Sequence, residues 1–217
     1  MPPRTTLALF AYRSVLPETM LSIIRELRAW PELQFAWGGN HAMIERTRSI
    51  VATDFLDRKG NVPPGDVLVM VDHDIAWETG DVRDIADRAT EYGVVSGVYA
   101  KRGHGLGVPI RGWWDRDEVQ ITPGEDRVVE VQYAPAGFLA IHRDVLAAIP
   151  EPRLKDGVIP FFHTLLYGGE WLSEDWAFCG RVRRTNDYKV YADFRPVLRH
   201  TGEYEYRLED AVHGGDC

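Results

Sequence analysis

The sequence feature that most constrains the fold is a run of five apolar residues, V-L-V-M-V, from Val67 to Val71. A strand with one face in water alternates polar and apolar residues, whereas a strand covered on both faces is apolar throughout. The run therefore predicts a strand that is buried on both faces. It leads directly into Asp72, His73 and Asp74, so three polar side chains stand where this buried strand ends.

Strand and helix patterns alternate along the rest of the chain. A helix beginning at Pro17 carries apolar residues at Met20, Ile23, Ile24 and Leu27, the spacing of a single buried face. Such alternation is typical of an α/β layer structure with a largely parallel sheet. Further segments have a clear pattern: strands over 6–12, 33–37, 94–100, 137–143 and 189–194, and helices over 42–56, 81–93 and 173–184. We expect a Rossmann-like, mostly parallel central sheet flanked by helices.

Length and composition fit one globular domain. The 217 residues contain no linker-like segment, so we expect a single domain over 1–217, with 201–217 as a C-terminal tail. The apolar runs are far shorter than the ~18 residues of a membrane helix, and the N-terminus lacks a signal-peptide core, so we expect a cytoplasmic protein without a membrane span. The formal charge of −8 argues against a broad nucleic-acid surface and leaves only a local basic groove for such a partner.

The two aspartates after the buried strand are candidates for a binding site. In an open α/β sheet, ligands bind beyond the carboxyl ends of the strands, where Asp72 and Asp74 are expected. Carboxylates are ligands for hard divalent cations such as Mg²⁺ and Mn²⁺, which also bind substrate phosphates. A solvated acidic turn explains the same two residues, because such turns commonly follow strands.

Four segments in this order resemble motifs of one enzyme class. They are the first strand with its loop, L-F-A-Y-R-S-V-L-P; the strand end V-M-V-D-H-D-I; the helix start G-G-E-W-L-S-E-D-W-A-F-C; and the late L-R-H-T-G. Together they span about residue 5 to residue 202. The set resembles nucleotide-sugar glycosyltransferases of the GT-A fold, especially family-2-like enzymes.

The resemblance implies a metal-dependent donor site. By it, Asp74 ligates Mn²⁺ or Mg²⁺ directly, Asp72 contacts the ribose or the water shell of the metal, and His200 adds an imidazole ligand. A divalent cation suits this chemistry because it neutralises the charge that grows on a departing nucleoside diphosphate. For His200 alone, a structural histidine with satisfied hydrogen bonds is the alternative reading.

The resemblance also assigns the acceptor side. Asp175 is the implied general base that deprotonates the acceptor hydroxyl, and Glu174 holds acceptor hydroxyls, although the two roles are exchangeable. A purely structural reading treats Ser173 as a helix N-cap, followed by acidic residues that complement the helix dipole.

Four basic or aromatic residues are candidate donor contacts. Tyr12 and Arg13 follow the first strand and are placed to meet the base and ribose. Arg48, on the second predicted helix, resembles an arginine of the family that reaches the diphosphate, and Lys101 follows a strand end and is a candidate phosphate contact. A solvated arginine paired with a carboxylate of its own helix is the alternative for Arg48.

Aromatic residues suggest where an acceptor sugar stacks. The region 101–132 reads as an irregular hairpin or lid that contains Trp113 and Trp114. Trp171 follows two glycines and is expected to face the acceptor, whereas Trp176 at helix spacing is expected in the core. The four tryptophans that are candidates for stacking are Trp113, Trp114, Trp171 and Trp176.

Gly137 has two possible roles: it lets the backbone approach a ligand, or it relieves crowding between strands.

These observations predict an inverting, metal-dependent transferase that moves a sugar from a nucleotide-sugar to a hydroxyl acceptor. A UDP-sugar is the favoured donor and a GDP-sugar the second. The short chain leaves little room for a separate acceptor domain, so a small or presented acceptor fits best. The alternatives are a metal-dependent nucleotidyltransferase or phosphohydrolase, and a module that binds a nucleotide-sugar without turnover; the glycine-rich basic loop usual in nucleotidyltransferases is missing from A-Y-R-S-V-L-P.

Overall fold

The structure is a computed structural model that describes residues 2–39, 42–101, 107–112, 122–202 and 205–207. The predicted lid over 101–132 is therefore covered only in part, and Trp113 and Trp114 lie outside the described residues. The elements are, in chain order, β1 (Thr5–Ala11), α1 (Pro17–Ala29), β2 (Gln34–Gly39), α2 (Ile44–Asp57), β3 (Val67–Asp72), β4 (Ile75–Ala76), α3 (Asp81–Tyr92), β5 (Gly93–Gly97), β6 (Val128–Val131), β7 (Phe138–His142), α4 (Arg143–Ala148), β8 (Leu165–Tyr167), β9 (Glu170–Leu172), α5 (Glu174–Arg183), β10 (Lys189–Asp193), β11 (Arg199–Thr201) and β12 (Glu205–Arg207).

A seven-stranded sheet forms the centre of the described chain, with the strand order β2-β1-β3-β7-β5-β10-β6. The pairs β1–β2, β1–β3 and β5–β10 are parallel, whereas β7 and β6 run antiparallel to their neighbours. Helices cover both faces. The predicted fold class, α/β with a mostly parallel central sheet, is confirmed.

The strand β3 lies in the middle of this sheet, between β1 and β7. Residues Val67 to Val71 are fully buried, which confirms the prediction drawn from their continuous apolar run. Because side chains alternate along a strand, Leu68 and Met70 enter the core on one face and Val69 enters the core on the other. Both cores are large, so β3 is fixed and its carboxyl end is a rigid place for functional groups.

Helix α1 begins at Pro17 as predicted, but its buried face differs from the predicted one. Ile23 is buried, whereas Met20 and Ile24 are exposed. The polar residues Ser22 and Glu26 are buried instead, because they hydrogen-bond to the segment that follows β4. The helix therefore supports that segment as well as the apolar core.

Two small sheets lie outside the central one. The first has the order β12-β11-β4 and the second is the hairpin β8–β9. Thr201 belongs to β11 and 205–207 form β12, so the first part of the predicted C-terminal tail is strand. None of the helices within the described residues has the length and apolarity needed to cross a membrane.

Candidate active site

At the carboxyl end of β3 the chain turns sharply into β4; Asp72 is the last residue of β3 and Asp74 lies in the turn. A cleft of ≈ 230 Å³ opens here, with Asp72, His73 and Asp74 on one side. The side chain of Asp72 is 26% exposed and that of Asp74 only 6%. The backbone N–H of Asp72 donates to the carbonyl of Gly137 (3.0 Å), which fixes the start of the turn. The remaining lining residues are Phe10, Ala11, Tyr12, Gly38, Ala42, Ile44 and Thr47.

Asp74 lies beside His200, although 126 positions separate them along the chain. The short strands β4 and β11 pair antiparallel, with His200 opposite Ile75, and the N–H of Thr201 donates to the carbonyl of Asp74 (2.8 Å). This pairing brings His200 Nε2 within 3.5 Å of Asp74 Oδ2. The structure thus brings together the two residues that the resemblance assigned to metal binding.

The hydrogen bond made by Nδ1 of His200 determines which ring nitrogen carries the hydrogen. Nδ1 is 2.9 Å from the carbonyl oxygen of Ala100, and because a carbonyl only accepts, Nδ1 carries the hydrogen. In the neutral ring, the lone pair of Nε2 then faces the carboxylate of Asp74. Two acceptors that face each other need a proton or a cation between them.

This donor set fits a hard divalent cation. An imidazole whose second nitrogen donates to a backbone carbonyl is the usual arrangement of a metal-ligating histidine, and a buried carboxylate supplies the charge. Among the described residues there is no group of three or more His, Cys, Asp or Glu side chains that could hold a metal ion. The protein would therefore supply few ligands, as Mg²⁺ sites do when phosphates and water complete the coordination.

Tyr99 lies near Asp72 and His200 and was not predicted as a site residue. Its ring contacts that of His200 edge-on, with 5.1 Å between centroids, and its hydroxyl accepts the N–H of Gly137 (3.2 Å). Burial, with a further contribution from the charge of Asp72, holds the pKa of Tyr99 well above its usual value, so the hydroxyl stays neutral. Tyr99 is the penultimate residue of the predicted strand 94–100, so the strand-end rule that identified Asp72 and Asp74 points to it as well.

Gly137 relieves crowding at this point. A Cβ on Gly137 would lie 2.4 Å from the Tyr99 hydroxyl and 3.3 Å from Asp72 Oδ2. Of the two explanations that the sequence left open, the structure supports close packing between neighbouring segments. The glycine lets Tyr99 and Asp72 approach each other.

Arg48 lies between two of the predicted carboxylates and is not solvated. It is 3% exposed, its Nη2 donates to Asp72 Oδ1 (2.6 Å), and its Nη1 donates to Glu174 Oε1. Burial opposes the positive charge, but Asp72 and Glu174 outweigh it and raise the pKa of Arg48. Both Nη atoms are engaged by partly buried carboxylates, and the diphosphate contact of Arg48 stays a prediction. The solvated reading does not fit.

The start of α5 brings the two predicted acceptor-side carboxylates to the same place. Burial raises the pKa of Glu174, and the charge of Arg48 opposes that shift. The charge of Asp175 acts on both Arg48 and Tyr99, which places Asp175 near them. Three carboxylates from β3 and α5 therefore converge around one guanidinium.

The hydrogen bonds of Asp175 correct the predicted cap. Ser173 is the N-cap residue of α5, but its hydroxyl donates to Asp175 Oδ1 and caps no backbone N–H. Asp175 Oδ1 also accepts the N–H of Trp176 (2.8 Å). Within the described residues, both of these hydrogen bonds end on Oδ1 of Asp175, which orients the carboxylate.

The remaining predicted donor contacts, Tyr12, Arg13 and Lys101, are exposed. Tyr12 lines the cleft and is exposed, and the guanidinium of Arg13 lies 5.2 Å from the centroid of its ring. Lys101 is exposed, and its N–H donates to the carbonyl of Gly107 (2.8 Å). It directly follows Ala100, whose carbonyl orients His200.

The described tryptophans that were candidates for stacking separate as predicted. Trp176 packs on the core and stacks on Tyr133, with 4.7 Å between ring centroids. Trp171 on β9 is 73% exposed and pairs across the hairpin with Leu166, which is 69% exposed. The exposed pair lies on the hairpin that leads into Glu174.

Comparisons with known proteins agree on the fold. No protein-family model matches the sequence, and a search of curated proteins finds no relative. The crystal structure of A197 from STIV superposes with a TM-score of 0.60 at 21% identity, over 92% of this chain and 86% of that one. The structure of GalNAc-T7 with UDP, GalNAc and Mn²⁺ gives 0.58 at 14% identity, over 99% of this chain and 45% of that one. At these identities the likeness concerns the fold, and the chain has a GT-A-like fold.

Proposed function

We propose that this protein is a metal-dependent glycosyltransferase that moves a sugar from a nucleotide-sugar to a hydroxyl acceptor with inversion. The observation that carries the proposal is the pairing of Asp74 with His200 at the carboxyl end of β3, where the Nε2 of a carbonyl-oriented imidazole faces a buried carboxylate. The GT-A-like fold supports it, because ligands of open α/β sheets bind at this edge.

On the donor side, Asp74 and His200 would hold Mn²⁺ or Mg²⁺. When bound, the ion neutralises the charge that develops on the departing nucleoside diphosphate. Tyr12 and Arg13 are assigned to the base and ribose, Asp72 to the ribose or the water shell of the ion, and Lys101 to a phosphate. A UDP-sugar is the favoured donor, and the UDP and Mn²⁺ in the GalNAc-T7 structure support that choice.

On the acceptor side, Asp175 is assigned as the general base. Ser173 and the Trp176 N–H hold Oδ1, so Oδ2 is the oxygen that accepts the proton as the acceptor hydroxyl attacks the anomeric carbon. Glu174 is the weaker candidate because Arg48 engages its carboxylate. It is assigned to hold the acceptor, and inversion follows when the base lies opposite the leaving group.

An exposed aromatic ring near these carboxylates suits a carbohydrate acceptor. Trp171 precedes Glu174 by three residues and is exposed on a hairpin whose partner residue, Leu166, is also exposed. One face of a sugar ring is apolar and stacks on such a platform. Trp171 is therefore assigned to the acceptor sugar.

A thermal-shift screen of UDP-, GDP-, CMP- and dTDP-sugars, each with Mn²⁺ and with EDTA, tests the donor assignment. A ligand that binds only the folded protein stabilises it by roughly 2.7 kcal/mol at a hundredfold excess over its Kd. We expect a shift with a UDP-sugar in Mn²⁺ that is lost in EDTA, with Mn²⁺ alone as the control. An equal shift in EDTA contradicts the metal assignment. Donor binding without transfer of the sugar to an acceptor and without release of UDP favours a binding module.

A further inference from the structure

One side chain connects the donor and acceptor halves of the candidate site. Arg48 on α2 is buried, and its two Nη atoms donate to Asp72 at the end of β3 and to Glu174 at the start of α5. The guanidinium also lies 5.8 Å from the centroid of the Phe10 ring. Three elements that are far apart in the sequence are thereby fixed to one cation.

The charges at this point depend on Arg48. The side chains of Asp72 and Glu174 are 26% and 18% exposed, and the charge of Asp175 also acts on the guanidinium. Carboxylates this close repel one another, and burial penalises each charge. Removing Arg48 would leave these carboxylates without a compensating charge, which lowers the stability of the folded state. The intact network holds the carboxylates in a fixed geometry.

The chemistry of arginine suits a connecting role. Its guanidinium is a rigid planar fork that donates hydrogen bonds to two carboxylates in fixed directions, whereas lysine carries a single charge on a flexible side chain. Among the described residues, the Nε of Arg48 has no hydrogen-bond partner, so the side chain is held through its two Nη atoms. The guanidinium therefore ties the carboxylate of Asp72 to that of Glu174.

We propose that Arg48 is a positioning residue that couples the two halves of the site, holding the acceptor-side Glu174 at a fixed place relative to the donor-side Asp72. The inference rests on the proposed function, because it concerns the alignment of donor and acceptor. Arg48 acts through these two carboxylates. Its contribution is orientation, and a misplacement of about 1 Å costs roughly 10²-fold in rate.

The test is a double-mutant cycle with Arg48→Lys, Glu174→Gln and the combined variant, measured as kcat and as KM for donor and acceptor. Arg48→Lys keeps the charge and the fold but loses the fork, so we expect kcat to fall roughly 10²-fold. The KM for the donor should change less than the KM for the acceptor. In the Glu174→Gln background, Arg48→Lys should cost little more, because residues that act as a unit are non-additive.

Arg181→Lys is the matched control for loss of a buried arginine. Arg181 is also 3% exposed, and its Nη1 donates to the carbonyl of His163 (2.8 Å), outside the site. We expect it to lower the unfolding midpoint and leave kcat unchanged. If Arg48→Lys resembles this control, Arg48 is only structural and the inference is overturned.

The remaining outcomes separate this inference from the proposed function. Additive losses in the cycle overturn the coupling while sugar transfer by the wild type stands. A wild type that transfers no sugar overturns the proposed function, and the inference falls with it. If Arg48→Lys does not fold, it is replaced by the combined variant Arg48→Met/Glu174→Gln, which removes both charges. Turnover of this variant equal to that of Glu174→Gln supports the coupling. A further large loss of turnover overturns the coupling.

Discussion

Asp72 and Asp74 are two residues apart, yet they lie in opposite environments. Asp72 is partly exposed and is held by Arg48, a permanent cation at 2.6 Å, whereas Asp74 is buried beside His200, whose Nε2 is 3.5 Å away. A carboxylate held by a permanent cation is already neutralised and oriented. A buried carboxylate beside an imidazole nitrogen combines two ligand types that bind divalent cations. Asp72 is therefore suited to positioning, and Asp74 is suited to ligating a metal.

The difference arises from the elements that reach each residue. Asp72 is still in β3 and meets α2 and α5, which bring Arg48 and Glu174. Asp74 lies in the turn between β3 and β4 and meets β11, which brings His200. The two sides meet at Tyr99, which lies near Asp72 and contacts His200, and each side can be tested by substitutions of its own residues.

The largest expected effect is a loss of turnover, and it comes from Asp175→Asn on the Asp72 side of the site. If Asp175 is the base, turnover falls roughly 10²–10⁴-fold while UDP binding in Mn²⁺ is retained. Ser173→Ala is the control, because it removes one hydrogen-bond donor to Oδ1 and leaves the carboxylate, so its loss of turnover should be much smaller. If Asp175 only complements the helix dipole, the substitution costs about 0.3–1 kcal/mol of stability and turnover stays normal, which contradicts the assignment.

The next effect is on the Asp74 side. Asp74→Asn and His200→Ala should each weaken Mn²⁺-dependent UDP binding at least roughly 10²-fold, since loss of a mere supporting residue costs 10–100-fold. Asp72→Asn sharpens the comparison: we expect a smaller loss of metal affinity and a larger loss of stability, because it deprives buried Arg48 of a charged partner. Calorimetric titration with Mn²⁺ in the presence of UDP measures the first quantity and urea unfolding the second. Equal Mn²⁺ affinity in all three variants would remove the distinction between the two aspartates.

A smaller effect is expected where the two sides meet, from Gly137→Ala. The added Cβ would lie 2.4 Å from the buried Tyr99 hydroxyl, so Tyr99 or the strand must move, at a cost of about 1–3 kcal/mol. Gly180→Ala in α5 is the matched control. Among the described residues, no heavy atom besides its chain neighbours and the backbone of its own helix lies within 4 Å of an added Cβ, and alanine should stabilise the helix by about 0.5–1 kcal/mol. Urea unfolding of both variants measures the difference. Opposite signs support the packing described for Tyr99, and a neutral Gly137→Ala contradicts it.

The smallest effect is on the pH dependence of stability, and it concerns Glu26 and Asp81, which hydrogen-bond to the segment after β4. Glu26 accepts the indole N–H of Trp77 and the backbone N–H of Gly80, and Asp81 accepts the backbone N–H of Glu78. Burial raises the pKa of Glu26 and raises that of Asp81 from 3.8 to about 6. The folded state therefore binds more protons than the unfolded state, so this contribution to stability is present below pH 3.8 and is lost as pH rises through about 6.

The variant Asp81→Asn tests that pH dependence. It keeps an acceptor for the Glu78 N–H but removes the titrating group, so the free energy of unfolding should fall less between pH 4 and pH 6 than in the wild type. Turnover at pH 7 should be unchanged, since Asp81 lies outside the proposed site. A pH profile of stability identical to that of the wild type would contradict the role of burial at Asp81.

Much of the framework follows from local pattern in the sequence. The continuous apolar run of 67–71 predicts a doubly buried strand, and the strand-end rule then places Asp72 and Asp74 at the site. The start of α1 follows from Pro17. Its buried face does not, because Ser22 and Glu26 are drawn inward by hydrogen bonds to residues more than 50 positions away.

The partners of the two aspartates depend on long-range contacts that no local pattern reveals. β4 has two residues and β11 has three, too few for a periodicity, yet their pairing is what brings His200 to Asp74. Arg48 was correctly placed on a helix, but which carboxylates it meets depends on how α2 packs against β3 and α5. Only the resemblance to glycosyltransferases suggested that residues near both ends of the chain act together.

The most direct test of the central claim is a crystal structure with Mn²⁺ and UDP in which anomalous scattering locates the ion. The account predicts one Mn²⁺ in contact with both Asp74 and His200, adjacent to the diphosphate and to the carboxyl end of β3. An ion bound elsewhere, or UDP bound in the cleft with no ion at Asp74, would contradict it.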